Sequence, residues 1–472
     1  MNSPLAAAIA DHRRGLVREA EAQYRRLLAA DPGCAEAHNA LGIALQQQGK
    51  PAEAAGCFRR AVAIKPDYVG AHGNLGAALK TLGWLDQAVV ALEQALALDS
   101  GNAESHYNLA CAYQEGGQFE QAIAGYRRTV ALTPNHSGAY NNLGIIFKSL
   151  GRLDEAMAAY ARSIACAPDN PVVRYNHAQA LLESGDFKRG WAEHEWRFAA
   201  GIALARHSEL PRWQGEALTG RTILVWSEQG LGDTIQFCRY LPLLSHRDAK
   251  VIFEVQPQLE RLCRSSLADI TVVARGQPLP DCDFQVPLMS LPGLMVETPA
   301  ATAYLHPIAD EARAWGATLG PRLRPRIGLV WAGSPTHKDD RNRSVPVESL
   351  RPMTELTGAE FYSFQVGPAA NGQITGVTDL SSRFDDFAAT AAALGHMDLL
   401  IAVDTAVLHL AGALGRPAWA LLPFAPDWRW LRHRDDSPWY PSLRLFRQER
   451  RQDWESVIAR VIGQLRVFIA SG

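Results

Sequence analysis

A spacing of 34 residues recurs through the first 200 residues and limits the fold more than any other feature of the chain. A fixed period of this length indicates stacked copies of one small unit, because a single copy cannot bury its apolar side chains alone. Alanine and glycine keep the period, which favours helices that approach each other closely and end at the glycine. The positions are Leu41, Leu75, Leu109 and Leu143, then Ala54, Ala88, Ala122 and Ala156, then Gly49, Gly83, Gly117, Gly151 and Gly185.

This arrangement resembles the tetratricopeptide (TPR) pattern of paired helices. Residues 1–198 are therefore predicted to form a TPR α-solenoid of about six repeats, the last of them degenerate because Gly190 and His194 break the period. Residues 199–220 lose the period and contain Pro211 and Gly215, which predicts a connector.

One asparagine also recurs with this period, as Asn74, Asn108, Asn142 and Asn176. An amide both donates and accepts hydrogen bonds, so a row of them can bind a peptide backbone whatever its side chains. A similar row holds the acceptor polypeptide in TPR-containing protein glycosyltransferases, and this resemblance implies a polypeptide partner in the TPR groove. The alternative is that the amides join neighbouring helices, because buried polar groups need partners.

Strands and helices alternate after the connector and predict two α/β domains. In the first, residues 221–310, the strand Thr222–Ser227 leads through the loop Gln229–Asp233 into a helix from Thr234. Ile235 stands where a dinucleotide fingerprint requires its third glycine, so the loop is not predicted to bind a dinucleotide. From the residues alone, Asp233 is either a helix cap or a carboxylate directed out of the sheet edge.

The second α/β domain, residues 322–450, begins with the strand Arg326–Trp331 and the loop Ala332–Ser344. Cations directly beyond the carboxyl end of a strand can neutralise a diphosphate. The alternative is a solvated loop of mixed charge. The potential cations of this loop are His337, Lys338, Arg341 and Arg343.

The strand Leu399–Val403 is followed by Asp404 and Thr405, which are strong helix-capping residues, and then by a short helix. The free N–H groups at such a helix start favour an anion such as phosphate. The alternative is that Asp404 only caps the helix and that His409 is a core residue.

Asp404, Thr405 and His409 resemble the donor-nucleotide motif of heptosyltransferase-like glycosyltransferases, which are family 9-like enzymes of the GT-B type. Asp233 matches the proposed general base of that group, and the run from Asp427 to Trp430 is similar to one in its TPR-fused members. The resemblance implies an α + α/β fold, in which the TPR α-solenoid precedes a GT-B pair of Rossmann-like domains. It also implies that a C-terminal helix, residues 451–472, returns to the first α/β domain.

The activity implied is metal-independent, inverting transfer of a sugar from a nucleotide-sugar donor, with ADP-heptose as the default, to a polypeptide. By analogy, flagellin-like surface proteins are one acceptor class. The rival readings are a scaffold with a degenerate transferase domain and a transferase acting on lipopolysaccharide. Asp233 is the implied general base, and Glu228 is the alternative candidate for this role. The implied acceptor loop comprises Glu228, Gln229, Gly230 and Gly232. The implied donor site comprises Trp331, Ser334, His337, Lys338, Arg343, Gln365, Gly367, Asp404, Thr405, Ala406 and His409.

Composition limits the partners, cofactors and membrane segments that can be expected. A net charge of -2 gives no electrostatic reason to expect nucleic acid as a partner. The seven cysteines lack C-x-x-C spacing, which favours reduced thiols of a cytoplasmic protein over disulfides or zinc ligands. No metal or other cofactor is expected. No apolar run reaches membrane-spanning length, so no transmembrane segment is expected.

Overall fold

The computed structural model describes residues 3–295, 299, 302–336, 340–367 and 374–471. The chain divides into two compact units, Met1–Asn176 and His177–Gly472. Within the described ranges, no helix has both the length and the apolar character needed to cross a membrane.

The first unit consists of α-helices that pack in consecutive pairs. Its helices are α1 (Pro4–Arg13), α2 (Val17–Ala30), α3 (Ala35–Gln47), α4 (Pro51–Ile64), α5 (Val69–Thr81), α6 (Leu85–Leu98), α7 (Ala103–Glu115), α8 (Phe119–Leu132), α9 (Ser137–Ser149) and α10 (Leu153–Cys166). A further helix, α11 (Pro171–Ser184), includes the division between the two units.

The recurring small residues explain why these helices pair. A Cβ atom on Gly42 would lie 2.5 Å from the ring of Phe58, and one on Gly144 would lie 2.5 Å from the ring of Tyr160. At these two positions only glycine lets the helices of the pair approach this closely. Gly49 follows the first helix of its pair with a φ of 73°, as a helix-ending glycine should. The predicted TPR helices are confirmed.

The second unit contains two parallel sheets. The first has strands β1 (Thr222–Trp226), β2 (Lys250–Val255), β3 (Thr271–Ala274) and β4 (Phe284–Pro287) in the order β3-β2-β1-β4. Its neighbouring helices are α12 (Phe187–His194), α13 (Leu231–Phe237), α14 (Leu241–Ser245), α15 (Glu260–Ser266), α16 (Leu291–Leu294) and α17 (Ala309–Leu319).

The second sheet has the order β10-β9-β8-β5-β6-β7. Its strands are β5 (Arg326–Val330), β6 (Glu360–Ser363), β7 (Val377–Asp379), β8 (Leu399–Val403), β9 (Ala418–Leu422) and β10 (Leu443–Arg447). The accompanying helices are α18 (Asp340–Arg343), α19 (Arg351–Thr354), α20 (Phe387–Leu394), α21 (Ala406–Ala413) and α22 (Trp454–Ser471). Parallel sheets with helices confirm the α/β class of this unit.

Helix α12 differs from its predicted place at the end of the repeat array. Trp191 of α12 makes edge-to-face contacts with Phe237 of α13 and Trp428, at centroid distances of 5.4 and 5.2 Å. The last predicted repeat therefore contributes its second helix to the core of the α/β unit, whereas the array had been expected to extend to residue 198.

Helix α22 also differs from expectation. Its buried residues Trp454, Val461 and Leu465 share one apolar cluster with Leu329 of β5 and Ile401 of β8. Because its apolar stripe is covered by the second sheet, the helix packs on that sheet and the implied return to the first sheet is wrong.

Candidate functional site

The carboxyl ends of β1 and β8 each lead into a short helix, and these two helices meet. Helix α13 follows β1, and α21 follows β8. A Cβ atom on Gly232 would lie 2.9 Å from Cδ2 of His409 and 3.6 Å from Cα of Ala406. The missing side chain at Gly232 thus lets the start of α13 reach the first turns of α21, and brings the predicted acceptor loop beside the predicted donor motif.

Asp233 lies in the first turn of α13. The helix begins at Leu231, three residues earlier than the sequence suggested, because the Asp233 carboxylate caps it. Gly230 N donates to Asp233 Oδ2 at 2.9 Å, and Arg429 Nη2 donates to Asp233 Oδ1. Asp233 therefore acts as a cap, and about one-fifth of its side chain remains exposed (21%).

Arg429 connects the residues that follow β9 with α13. Its Nη1 donates to Asp427 Oδ1 at 2.7 Å and its Nε donates to Gln236 Oε1 at 2.9 Å. The guanidinium lies 4.5 Å from the ring centroid of Trp428. Burial lowers the pKa of Arg429, but the charges of Asp427 and Asp233 outweigh it and raise that pKa above its ordinary value. A buried cation therefore joins two carboxylates.

Sequence reasoning did not assign Arg429 to the site. The run Asp427 to Trp430 contributes to the sequence analysis only as part of the family resemblance. A charged residue between two tryptophans was the available signal, because a cation in such surroundings needs a partner.

Asp404 and His409 lie together at the start of α21. Their nearest side-chain atoms, Asp404 Oδ1 and His409 Nε2, are 3.6 Å apart, and His409 Nδ1 is 3.0 Å from the hydroxyl of Tyr440. The His409 ring stacks on Trp430 at 5.4 Å. Burial acts to raise the pKa of Asp404, but His409 and the charge of Arg429 outweigh it, so this pKa lies below its ordinary value.

Thr405 is the N-cap residue of α21, but its side chain makes no capping hydrogen bond. Its Oγ1 atom is buried and has no hydrogen-bond partner among the described residues. A buried hydroxyl usually has a partner, so this atom remains available to a ligand or to water.

The loop after β5 is held by Gln365, whose Oε1 accepts from Trp331 N at 3.1 Å and from Ala332 N at 2.8 Å. Trp331 itself is buried in the core of the second sheet. Gln365 therefore holds the conformation of this loop, and its side-chain oxygen is already used by two main-chain N–H groups.

Arg343 extends from the same loop to the donor motif. Its Nη1 donates to the main-chain oxygen of Asp404 at 3.3 Å, and its Nε lies 3.2 Å from Asp340 Oδ1. Ser334 is exposed and bonds to Thr336 at 2.8 Å, and Gly367 has a φ of 82°. His337 and Lys338 lie outside the described residues.

Glu228 is enclosed on the side of the first sheet. Its Oε1 accepts from Arg197 Nη2 at 2.9 Å and from Met289 N at 3.1 Å, and its side chain is fully buried. Burial raises the pKa of Glu228 to about 6 although Arg197 opposes the shift. The neighbouring Gln229 fixes the loop through its carbonyl oxygen, which accepts from Gln256 Nε2 at 2.9 Å.

The recurring asparagines follow a bonding rule within the first unit: the amide donates to the side chain 35 residues earlier. The bonds are Asn74 to Asn39 (2.9 Å), Asn142 to Tyr107 (3.3 Å) and Asn176 to Asn141 (3.0 Å). These amides join neighbouring repeats, as the alternative interpretation proposed, although each remains partly exposed.

Asn108 departs from this rule. The residue 35 positions earlier is Gly73, which has no side chain to accept the bond. The amide of Asn108 instead donates to the exposed carboxylate of Glu104 in its own helix, at 3.2 Å. Of the four asparagines, Asn108 is therefore the one whose described side-chain bond does not join two repeats.

Among the described residues, no group of three or more His, Cys, Asp or Glu side chains could hold a metal ion.

Comparison with known proteins identifies the helical part. Models of the tetratricopeptide repeat match residues 5–69 and 107–171 and, separately, residues 69–102. Protein FlbA of Caulobacter vibrioides is 29% identical over 343 residues, which cover 64% of this chain and 56% of FlbA. The chain thus matches about half the length of that relative.

Two solved structures are also similar. The crystal structure of MamA is 25% identical and covers 34% of this chain and 94% of its own, with a TM-score of 0.33. A thermophilic TPR protein of Thermus thermophilus is 27% identical and covers 38% of this chain and 97% of its own, with a TM-score of 0.32. The family models establish that the chain contains tetratricopeptide repeats.

Proposed function

We propose that the protein is a glycosyltransferase that moves a sugar from a nucleotide-sugar donor to a polypeptide recruited by its TPR repeats. The observation that carries this proposal is the meeting of α13 and α21 at the carboxyl ends of two parallel sheets. Ligands of α/β domains bind at this edge, and here it brings together Asp233, Asp404 and His409.

Donor binding would use the second sheet. The N–H groups at the start of α21 and the guanidinium of Arg343 would face the diphosphate, and the unpartnered Thr405 hydroxyl could donate to one of its oxygens. ADP-heptose is the default donor by resemblance, and UDP-sugars and CMP-linked acidic sugars are the other candidates.

Transfer would use Asp233. As an acceptor hydroxyl attacks the anomeric carbon, the bond from that carbon to the diphosphate breaks and the nucleotide leaves. The hydroxyl proton would pass to the Asp233 carboxylate, and displacement at the opposite face inverts the anomeric centre. Arg429 would stay paired with Asp427 throughout, so the buried cation would not lose its counter-ion.

The polypeptide would bind along the TPR unit, where partly exposed asparagine amides follow one another at the repeat spacing. All seven cysteines are free, which is in keeping with the cytoplasm, where nucleotide sugars are available.

A non-catalytic scaffold is the second candidate, because both oxygens of Asp233 already accept hydrogen bonds. In this alternative the same residues would hold the two sheets together, and the TPR repeats alone would bind partners.

The test measures thermal stabilisation by ADP-, UDP- and CMP-sugars, and then nucleotide release when flagellin is added as the candidate acceptor polypeptide. A donor at about 100 times its Kd should stabilise the fold by about 2.7 kcal/mol. Asp404→Asn should remove the stabilisation, whereas Asp233→Asn should keep it and abolish nucleotide release. Asp436→Asn is the matched control, because it changes an exposed carboxylate whose ion-pair partner among the described residues is Arg434.

Stabilisation without release by the wild type would favour the scaffold. Full release by Asp233→Asn would exclude Asp233 as the base.

A further inference from the structure

A second cluster of charged residues lies at the carboxyl edge of the first sheet, where the predicted connector crosses it. Ser227 directly follows β1, and its main-chain oxygen accepts from Arg206 Nη2 at 2.9 Å and from Arg275 Nη2 at 2.5 Å. Arg275 directly follows β3, and its Nη2 also donates to Ser227 Oγ at 3.1 Å. Two guanidinium groups from different segments thus share one carbonyl oxygen.

The carboxylate nearest this pair does not balance its charge. Glu254 of β2 is buried, and its Oε2 lies 2.8 Å from Arg206 Nη1 and 3.0 Å from His207 Nε2. The other acid nearby, Glu228, is bonded to Arg197. Among the described residues no carboxylate pairs with Arg275, so its positive charge is in excess of its direct partners.

The pKa of Arg275 reflects this excess. Burial lowers that pKa, and the neighbouring Arg206 lowers it further, with Glu254 opposing. The cationic form of Arg275 is therefore less favourable here than in water, and a bound anion would relieve the cost.

The two arginines also differ in how many contacts hold their guanidinium groups in place. Arg206 is fixed by Glu254 and by the ring of Trp226, which lies 4.9 Å from its guanidinium. Arg275 is exposed, and its hydrogen bonds to described side chains and carbonyls run through Nη2. No described residue accepts a hydrogen bond from Nε or Nη1 of Arg275, so these donors can serve a ligand at the edge where α/β domains bind ligands.

We propose that Arg206 and Arg275 form a binding site for a phosphate group at this edge of the first sheet. Arg275 supplies guanidinium donors that no described residue accepts from, and Arg206, held in place by Glu254, adds a second cation beside them; phosphate oxygens are strong acceptors for such donors. The site is separate from the donor motif at α21, so it does not depend on the proposed transferase activity. Its ligand is either free phosphate or a phosphate group carried by a larger molecule.

The experiment titrates the full chain with inorganic phosphate and, separately, with O-phosphoserine, using calorimetry. We expect a Kd of about 1 mM for inorganic phosphate and at least about tenfold weaker binding by Arg275→Gln. Tighter binding of O-phosphoserine would identify a carried phosphate, and equal or weaker binding would identify the free ion.

Arg313→Gln is the matched control, because Arg313 is also an exposed arginine and its one ion-pair partner in the described ranges is Asp310. It should bind phosphate like the wild type. Arg275→Lys keeps the charge but loses the paired donors, so it should bind with intermediate affinity. Thermal unfolding without phosphate should be the same for wild type and variants, which would separate a binding defect from a folding defect.

Three results would overturn the proposal. They are the absence of heat up to about 20 mM phosphate, equal affinity of Arg275→Gln and wild type, and acetate binding as tightly as phosphate.

Discussion

Asn142 is predicted to stabilise the TPR unit, whereas Asn108 at the equivalent position of the preceding repeat is not. Asn142 Nδ2 donates to the hydroxyls of Tyr107 and Tyr126, at 3.3 and 3.0 Å. Each such bond contributes about 0.5–1.5 kcal/mol, and Tyr126 keeps a second partner in Gln114, so Asn142→Ala should cost about 1–2 kcal/mol.

Asn108→Ala is the matched control. It removes the same side chain one repeat earlier, but the only side-chain bond described for Asn108 is to the exposed Glu104. Loss of a surface contact of this kind changes stability by no more than about 0.5 kcal/mol.

Hydrogen exchange of the full chain measures the difference, because it reports the stability of individual helices within one of the two units. Amides of α7, α8 and α9 should exchange about 5 to 30 times faster in Asn142→Ala than in the wild type. They should be almost unchanged in Asn108→Ala. Equal acceleration in both variants would refute the bonding rule as the source of stability.

Three further predictions concern stability. Gly144→Ala places a methyl group 2.5 Å from a packed tyrosine ring and should lower the free energy of urea unfolding by about 1–3 kcal/mol, whereas Gly56→Ala, with nothing within 4 Å of its Cβ, should not; equal losses would contradict this. Arg429→Gln leaves two carboxylates without their shared cation and should cost about 3–5 kcal/mol in thermal unfolding of the α/β unit. The partly exposed pair of Arg434 with Asp436 is the comparison, and Arg434→Gln should cost less than about 1 kcal/mol. A near-neutral Arg429→Gln would show that the pairing of Arg429 with Asp233 and Asp427 is not structural. Burial raises the pKa of Glu228 from 4.5 to about 6, so the folded state binds more protons between these values and the free energy of unfolding should fall by about 2 kcal/mol as pH rises through them; urea titrations of Glu228→Gln should lack this slope, and an unchanged slope would assign it elsewhere.

The repeat unit could be predicted because its determinants are local. The contact of Gly42 with Phe58 lies within one helix pair, so the 34-residue period carries it directly. The same period aligned the asparagines but did not predict their hydrogen-bond partners. That depended on the residue 35 positions earlier, and Gly73 in that place changes the role of Asn108.

The α/β unit was predictable at the level of strands and helix starts, as the match of Leu399–Val403 to β8 shows. The packing of α22 was not, because an apolar stripe specifies that a helix is buried without specifying which sheet covers it. The place of Arg429 in the site was not predicted for a similar reason. Its bond to Asp233 joins residues 196 positions apart, and no local pattern encodes such a pair.

The pairing of Arg429 with two acids bears directly on whether Asp233 can act as a base. Each carboxylate oxygen can accept two hydrogen bonds, so an acceptor hydroxyl can approach Asp233 while the guanidinium stays in place. Once Asp233 takes the proton, it no longer balances the cation, and Asp427 becomes the counter-ion that keeps the buried charge paired. If the protein is an enzyme, Asp427→Asn should therefore reduce nucleotide release while leaving donor stabilisation intact. If Arg429, Asp233 and Asp427 have only a structural role, the same substitution should lower stability, and neither the wild type nor the variant should release nucleotide.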